Sequence, residues 1–476
     1  MKITIFLSCI LLSCPLFSQD KGKPWILQQC IAFALKNNIQ IKQNLLNQKL
    51  SEATHLQTKA QLLPTLNGNI SHSYNNGRKV DPFTNSFTSG DWFLSQNFSL
   101  STSVTLFGGF QNLNSIKQSR YELLAAQQDV LKIQNDIALN IASAYLQILF
   151  AQELLEVARG QSDITKLQAE RTRKLVDVGN LPKGNLFDME AQLAIEEVNI
   201  VNAENSLSFS YLNLMQMLNL DTITNFAIAK PDIAPPAEGL LNSTAGQVYD
   251  AALTRQPEIK SAEFKLKSSE RSIAIAKGGL FPRLSLNASY GTGYSSVGQY
   301  ITKPPAFQGF FPNGDTTSSG DLVFSPVTSS PEFATTPFSD QVDQNLNRSI
   351  GFFLTVPVFN NLQTHTAITR AKIYTEGAKL TLQLQKDNLR KTIQQAFNDA
   401  ASGLKKYQAS GKAVSAMEES FKYTDQKYAV GAVTATDYND VKNKLTKVKS
   451  DLLQAKYDYV FKLKVLDFYQ GKPITL

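Results

Sequence analysis

Histidine and cysteine, the side chains that most often carry out catalysis or bind metals, are few and scattered in this chain. The three histidines, His55, His72 and His365, each stand alone, which is typical of surface or packing residues. Cys30 is the one cysteine beyond residue 18, so it can form neither an intramolecular disulfide nor a zinc site, and we expect a small buried residue. G-x-S-x-G, H-E-x-x-H, P-loop and G-x-G-x-x-G motifs are absent. The sequence therefore predicts no enzyme, metal or cofactor.

The composition is that of an ordinary globular protein. Of the 476 residues, 42% are hydrophobic and 18% are charged, which excludes collagen-like, low-complexity and wholly disordered chains. The net charge of +7 is spread thinly along the sequence, whereas a nucleic-acid-binding protein concentrates its lysine and arginine in one patch. We therefore expect no nucleic-acid partner.

Residues 1–18 have the pattern of a secretory signal peptide. One lysine is followed by a largely apolar run from Ile3 to Phe17, which is too short to span a bilayer. Cleavage is expected near Ser18, so the mature chain leaves the cytoplasm. Cleavage before Cys14, with a lipid attached to that cysteine, is an alternative. No later stretch has eighteen uninterrupted apolar residues, and no transmembrane helix is expected.

The remainder of the chain is predicted to be a tandem duplication. A shift of 218 positions aligns Pro64 with Pro282, and a shift of 252 positions aligns Gly179 with Gly431 farther along. The two shifts differ by 34 residues, which indicates an insertion of that length in the second half.

Each repeat is predicted to have the order helix, strand, loop, strand, long helix, turn, helix. The first repeat takes residues 19–244 and the second takes residues 245–476. The strands of each repeat are separated by a segment rich in glycine, serine and threonine, at 75–91 and at 291–347. We expect both segments to be extracellular loops, the longer of which contains the insertion.

Four segments alternate apolar and polar residues with a period of two, which predicts β-strands. Their lengths are close to the roughly nine to eleven residues of a tilted transmembrane strand. A soluble β-sandwich would have similar strands and is an alternative. One aromatic residue, Phe353, interrupts the polar face of the fourth strand. The strands are predicted at residues 66–74, 98–106, 284–290 and 350–358.

Two long runs without proline predict very long helices at residues 110–178 and 362–430. At 1.5 Å per residue, each would be about 100 Å long. Apolar residues from Ile137 to Leu155 recur at alternating spacings of four and three, which predicts a coiled-coil seam. The last helix has a similar seam, and the lysines that lie off it are expected to form a solvated face. These lysines are Lys442, Lys444, Lys447 and Lys449.

Strands that cross a membrane must close into a barrel, because lipid offers no partner for the N–H and C=O groups of an open edge. Known membrane barrels have at least about eight strands, and this chain supplies four. The barrel must therefore be shared between chains, and two chains would give eight strands whereas three would give twelve. A shared barrel that is continued by long helices would form a tube.

These features together resemble the TolC outer-membrane efflux protein family, from about Trp25 to Gly471. The resemblance implies an α+β membrane protein, with a long α-helical coiled-coil barrel and a transmembrane β-barrel shared between protomers. It also implies a homotrimer in the lipid of the outer membrane, with its helical part in the periplasm. Its partners would be a periplasmic adaptor protein and an inner-membrane pump.

Two Val-Gly turns match the helical turns at which adaptor hairpins dock in this family. A glycine there has a physical reason, since a tight turn between helices requires positive φ or a close backbone approach. For either turn alone, an ordinary helix C-cap is an alternative. The residues are Val178, Gly179, Asn180 and Leu181 in the first turn, and Val430, Gly431, Ala432 and Val433 in the second.

The resemblance also implies a pore constriction formed by acidic residues just past the second turn. The matching residues are Asp437 and Asp440, which lie three apart on a helix and hence on one face. Three copies would form two carboxylate rings, which hold cations and oppose anions. Asp437 also suits the first turn of a helix in its own right. The first-half equivalents are Asn185, which is uncharged, and Asp188.

The function that these features predict is a passive, gated outer-membrane exit duct of a tripartite efflux or secretion system. The alternative is a structural or adhesive coiled-coil surface protein without a channel, which explains the heptads but not the strands or the duplication. The exported substrate and the class of pump are left open.

Overall fold

The computed structural model describes residues 24–475 except 86, 89, 221–225 and 232–243. The predicted signal peptide and Cys14 lie outside the described residues. The helices are α1 (Leu27–Asn37), α2 (Ile39–Ala60), α3 (Gln111–Asp177), α4 (Lys183–Leu218), α5 (Ala245–Arg255), α6 (Pro257–Gly278), α7 (Phe338–Gln344), α8 (Gln363–Ala429) and α9 (Ala435–Tyr469). The strands are β1 (Thr65–Asn75), β2 (Phe93–Gly108), β3 (Arg283–Ser295), β4 (Gln299–Lys303), β5 (Phe307–Thr316), β6 (Leu322–Thr328), β7 (Glu332–Thr335) and β8 (Asn347–Thr355).

The two very long helices are confirmed, because α3 and α8 each have 67 residues. An 18-residue window of α3 is long and apolar enough to cross a membrane by composition, but 56% of it is buried inside the protein. Burial of that kind is typical of a helix packed in a core.

Each half begins with two helices rather than the single helix predicted. In the second half, Pro257 disfavours helical geometry at Gln256, which is extended with φ −65° and ψ 127°. In the first half, Asn38 is likewise extended, and its side-chain Oδ1 accepts a hydrogen bond from the backbone N–H of Gln40 at 2.9 Å. Asn38 therefore ends α1 and caps α2.

The chain divides into two compact units, and each unit takes segments from both predicted repeats. The first unit comprises residues up to Glu52, Tyr121–Leu266 and Gly377–Leu476, and the second comprises Ala53–Arg120 and Lys267–Glu376.

The core of the first unit lies between α1, α3, α4 and α9. The predicted seam of α3 is confirmed, since Ile141 and Ile148 are fully buried. The hydroxyl of Tyr145 donates to the carbonyl oxygens of Trp25 at 3.0 Å and Ala229 at 2.6 Å, which satisfies it inside the core. Cys30 is buried there as predicted, and burial raises the pKa of its thiol to about 12.

The second unit contains a four-stranded antiparallel sheet in the order β1-β2-β3-β8. All four predicted strands are present, although β2 and β3 extend to 16 and 13 residues, and β8 ends at Thr355, three residues before the predicted end, because Pro357 cannot donate a strand hydrogen bond. A bulge between Thr105 and Phe107 shifts the register of β2 against β3. β1 and β8 each pair on one side only, so within the described residues the sheet has two open edges.

The segment 291–347 is not the irregular loop that its composition suggested. After the end of β3 it forms a ribbon in which β4 pairs with β7 and β5 pairs with β6, followed by α7. Valine, isoleucine and aromatic residues favour strands despite the surrounding glycines and serines. The shorter segment, 75–91, has an isolated bridge between Val80 and Phe87.

Candidate functional site

The first Val-Gly turn closes α3 with a Schellman motif. Gly179 has φ +80°, and its N–H donates to the Val176 carbonyl oxygen at 3.0 Å. The N–H of Asn180 donates to the Leu175 carbonyl oxygen at 2.8 Å, which is the second bond of the motif. A Cβ on Gly179 would have no heavy atom within 4 Å, so the backbone angle alone requires glycine here.

The second turn repeats this geometry at the end of α8. Gly431 has φ +73° and donates to the Tyr428 carbonyl oxygen at 3.1 Å, while Ala432 donates to the Lys427 carbonyl oxygen at 2.9 Å. Val178 and Val430, which precede the two glycines, are both exposed. The two turns therefore present equivalent apolar side chains to solvent.

The two turns border one cleft of about 600 Å³ in the first unit. Arg171 donates from Nη2 to the Ala429 carbonyl oxygen at 3.4 Å, and the hydroxyls of Thr172 and Tyr428 lie 3.3 Å apart. These contacts join the end of α3 to the end of α8. Eight of the predicted site residues line the cleft: Asn180, Leu181, Asn185, Val430, Gly431, Ala432, Val433 and Asp437.

Asp437 forms a capping box at the start of α9. Its Oδ2 accepts from the Thr434 hydroxyl at 2.7 Å and from the Thr434 N–H at 3.3 Å, and its own N–H donates to Thr434 Oγ1 at 3.1 Å. These hydrogen bonds to the carboxylate hold the pKa of Asp437 below its usual range. Asp437 is thus an ionised, exposed carboxylate beside the cleft, and it also caps the first turn of α9.

Asp440 lies outside the lining of the cleft and forms an exposed ion pair. Its Oδ2 is 2.6 Å from Nζ of Lys444, one turn farther along α9. The first-half equivalents differ from each other, because Asn185 is half-buried in the cleft and Asp188 is exposed outside its lining. The structure therefore brings Asn185 and Asp437 to one cleft, and places Asp188 and Asp440 beyond it.

Lys442 is buried, so the prediction of a solvated lysine is wrong at this position. Its Nζ lies 2.9 Å from Glu196 Oε1, with side-chain exposures of 1% and 4%. Thr165 bonds to both groups, and Gln192 donates from Nε2 to Glu196 Oε1 at 3.0 Å. Burial lowers the pKa of the Lys442 ammonium, and Glu196 opposes that effect.

The sequence did contain a signal for this buried lysine. Next to the turn, Asn439 and the four residues Ala435, Tyr438, Lys442 and Leu445 of α9 are buried. The four have spacings of three, four and three, which are those of a helix face packed in a core. Lys442 lies in the middle of that face. The prediction of a solvated side chain rested on its charge alone.

The sheet of the second unit is amphipathic. Paired residues share a side of an antiparallel sheet, and one side carries such pairs as Leu286 with Phe352 and Ala288 with Ile350. The other side carries serine and asparagine, where Ser103 Oγ donates to Asn287 Oδ1 at 2.7 Å. Its most conspicuous exception is Phe353, which lies opposite Ser285 as the sequence predicted.

Two of the histidines form local contacts. His55 Nδ1 is 2.8 Å from the Ser119 hydroxyl, and His72 Nδ1 is 2.7 Å from Gln96 Nε2. Within the described ranges, no three or more histidine, cysteine, aspartate or glutamate residues are grouped so that they could hold a metal ion.

A family model described as outer membrane efflux protein matches residues 31–220 and 248–471. The outer membrane efflux protein BepC of Brucella suis is 20% identical over 472 residues, covering 97% of this chain and 90% of the relative. The outer membrane protein TolC of Escherichia coli is 23% identical over 430 residues, covering 87% and 74%. The crystal structure of the outer membrane protein VceC of Vibrio cholerae has a TM-score of 0.70 at 15% identity, covering 94% and 96%, and shares the fold.

Proposed function

This chain belongs to the outer membrane efflux protein family, and we propose that three copies of it close a common barrel to form the channel. The protein is an outer-membrane exit duct of a tripartite efflux or secretion system. We propose further that it acts passively and catalyses no reaction, so that the pump supplies both the energy and the choice of substrate.

The observation that carries the shared barrel is the open, amphipathic sheet, and the number of three copies comes from the resemblance to the family. Its apolar side suits lipid and its serine-rich side suits water, yet β1 and β8 each keep an open edge among the described residues. An open edge is excluded from the hydrocarbon of a membrane, because its N–H and C=O groups would have no partner. Pairing β8 of one copy with β1 of the next closes the sheet, and three copies supply twelve strands.

The helices of the first unit support the same assembly. Along α4, large apolar side chains remain exposed at spacings of three to eight residues. An exposed stripe of this kind marks an interaction surface. We assign it to contact with a neighbouring copy. Its residues are Ile195, Val198, Val201, Phe209 and Leu212.

We assign the two Val-Gly turns to docking of the periplasmic adaptor. Val178 and Val430 offer exposed apolar side chains next to open backbone turns, and the cleft between the turns is large enough to receive side chains of a partner helix. The cleft residues named above would complete this surface.

We assign Asp437 and Asp440 to the pore constriction, together with Asn185 and Asp188 of the first half. Three copies of Asp437, each held ionised by Thr434, would give a ring that attracts cations. Asp440 would contribute less, because Lys444 offsets its charge.

The test of this function is the native mass of the full chain, extracted gently from outer membranes and corrected for bound detergent. We expect a mass of three chains, and conductance in planar bilayers. A folded monomer would leave four strands unable to close, and would overturn the shared barrel.

A further inference from the structure

The ribbon between β3 and β8 carries an aromatic face on its outer part. In the register of β5 and β6, Phe310 lies opposite Pro326 and Pro312 lies opposite Phe324, so these side chains share one side. The ring of Phe307 is 5.5 Å from that of Phe310, edge to face. We call these five residues the aromatic face.

The aromatic face is exposed in the single chain. Phe307, Phe310 and Phe324 are 61%, 64% and 53% exposed. An isolated two-stranded ribbon is marginally stable in water, and a large exposed apolar patch usually marks an interaction site. We therefore expect another molecular surface to cover the aromatic face.

The base of the ribbon is firmly attached to the sheet. Gln341 accepts from the Ser295 N–H at 2.9 Å and donates to the carbonyl oxygens of Ser295 and Thr336, each at 2.9 Å. Ser295 Oγ in turn donates to Asp81 Oδ2 at 2.7 Å, which joins the end of β3, where the ribbon begins, to the segment 75–91. Asp81, Ser295 and Gln341 are all buried and hydrogen-bonded. The base of the ribbon is therefore held in one arrangement, and it positions the outer part of the ribbon, β5 and β6.

The charges of the outer part of the ribbon, β5 and β6, argue against a lipid surface as the partner that covers the aromatic face. Residues 307–328 contain two charged side chains, Asp315 and Asp321, and no lysine, arginine or histidine. Asp315 accepts from Asn313 Nδ2 at 2.9 Å, and Asp321 accepts from Ser319 Oγ at 2.8 Å, so both charges are fixed near the tip. Anionic lipid headgroups would repel this segment, since they are bound by basic residues.

We propose that the aromatic face packs against the same ribbon of a neighbouring copy, so that three ribbons form a lid over the outer end of the channel. The proposal rests on the proposed function, which places three copies around one axis. The ribbon arises between β3 and β8, and β8 carries an open edge that a neighbouring copy would pair. In the proposed trimer a neighbouring copy therefore lies beside the strand from which the ribbon arises, and aromatic rings pack favourably on one another.

Substitutions at two adjacent positions test whether the aromatic faces of neighbouring copies touch, or whether the ribbons merely lie near one another. Phe310→Cys places a thiol on the aromatic face, and Phe311→Cys places one on the opposite side, because neighbouring residues of a strand face opposite sides of a sheet. Cys30 is buried and gives little background. The full-length channel in outer membranes is treated with a mild thiol oxidant, and disulfide-linked chains are counted on non-reducing denaturing gels.

We expect linked dimers from Phe310→Cys and little linkage from Phe311→Cys. In the purified detergent-solubilised channel, Phe310→Cys should also react with a monofunctional maleimide about tenfold more slowly than Phe311→Cys, because a covered thiol is less reactive. Equal linkage of the two variants, or linkage of neither, would overturn the lid.

The native mass of both variants separates this proposal from the function on which it rests. A trimer without linkage at Phe310→Cys rejects the lid and keeps the channel, whereas a monomer rejects both. Protection of Phe310→Cys in vesicles of outer-membrane lipid but not in the detergent trimer would show that lipid covers the face, and would also reject the lid.

Discussion

Lys442 and Lys444 lie two positions apart on α9, yet the first forms its ion pair inside the protein and the second forms its ion pair in solvent. The side chains of Lys442 and Glu196 are 1% and 4% exposed, whereas those of Lys444 and Asp440 are 59% and 60% exposed. The two pairs have similar lengths, 2.9 Å and 2.6 Å, so length says little about what each contributes.

Replacing Lys442 by methionine is expected to lower the free energy of unfolding by about 3–5 kcal/mol, because Glu196 would be left as an unpaired buried charge. The matched variant Lys444→Met should cost about 0.5 kcal/mol or less, since an exposed pair one helical turn apart contributes little. The measurement is guanidinium denaturation of the detergent-purified channel. Equal losses of unfolding free energy in the two variants would show that Lys442 does not stabilise the buried charge of Glu196.

The double replacement Lys442→Met with Glu196→Met should recover most of that stability. Burying a charge is costly, and apolar side chains of similar volume often match or exceed the stability of a buried ion pair. A double variant as unstable as Lys442→Met alone would instead assign the loss to packing around Thr165 and Gln192.

Replacing Gly431 by glutamate is expected to abolish transport while the trimer still assembles, because the charge would lie on the proposed adaptor surface. The matched variant Gly431→Asn should keep most transport, since asparagine tolerates the left-handed backbone better than other residues. Transport is read as growth against compounds to which the intact protein confers resistance. Wild-type growth of Gly431→Glu would remove this turn from the docking surface.

Replacing both Asp437 and Asp440 by asparagine should reduce the preference for cations in single-channel recordings, because the proposed rings would lose their charge. The control is Asp458→Asn, which removes a carboxylate paired with Lys462 farther along α9. Unchanged selectivity in the double variant would exclude these residues from the constriction.

The pH dependence of the same preference follows from the capping box. Hydrogen bonds from Thr434 lower the pKa of Asp437 in the folded protein, so its charge is present above that lowered value and is lost as the pH falls through it. Cation preference should therefore persist to a lower pH in the wild type than in Thr434→Val. Coincident titrations would show that Thr434 does not hold the charge that selects cations.

Replacing Phe352 by lysine should prevent stable insertion, whereas lysine at the neighbouring Phe353 should be tolerated. The two residues lie on opposite sides of β8, and a lysine on the lipid side costs about 2–4 kcal/mol at the middle of the membrane. The amount of trimer in purified outer membranes gives the answer. Equal recovery of both variants would contradict the proposed assignment of the apolar side to lipid.

The elements that the sequence predicted well are those with a long, simple period. The helices α3 and α8 and the strand position of β1 follow from spacings that persist over many residues, and the turns follow from a glycine at equivalent places in both halves. What sequence reasoning missed depends on tertiary packing. Lys442 is buried because Glu196 lies opposite it. The strands β4 to β7 form because short segments, interrupted by glycine and proline, pair with one another, β4 with β7 and β5 with β6.

The open edges of the sheet also bear on how the protein is made. Before the chains assemble, β1 and β8 have unpaired hydrogen-bonding edges, and the apolar side of the sheet is not yet covered by lipid. Unpaired edges beside an exposed apolar surface favour aggregation. In the proposed trimer the barrel closes only when three such chains meet, so we expect the yield of channel to depend steeply on their local concentration. We also expect the two open edges to need protection from other chains while the protein crosses the periplasm.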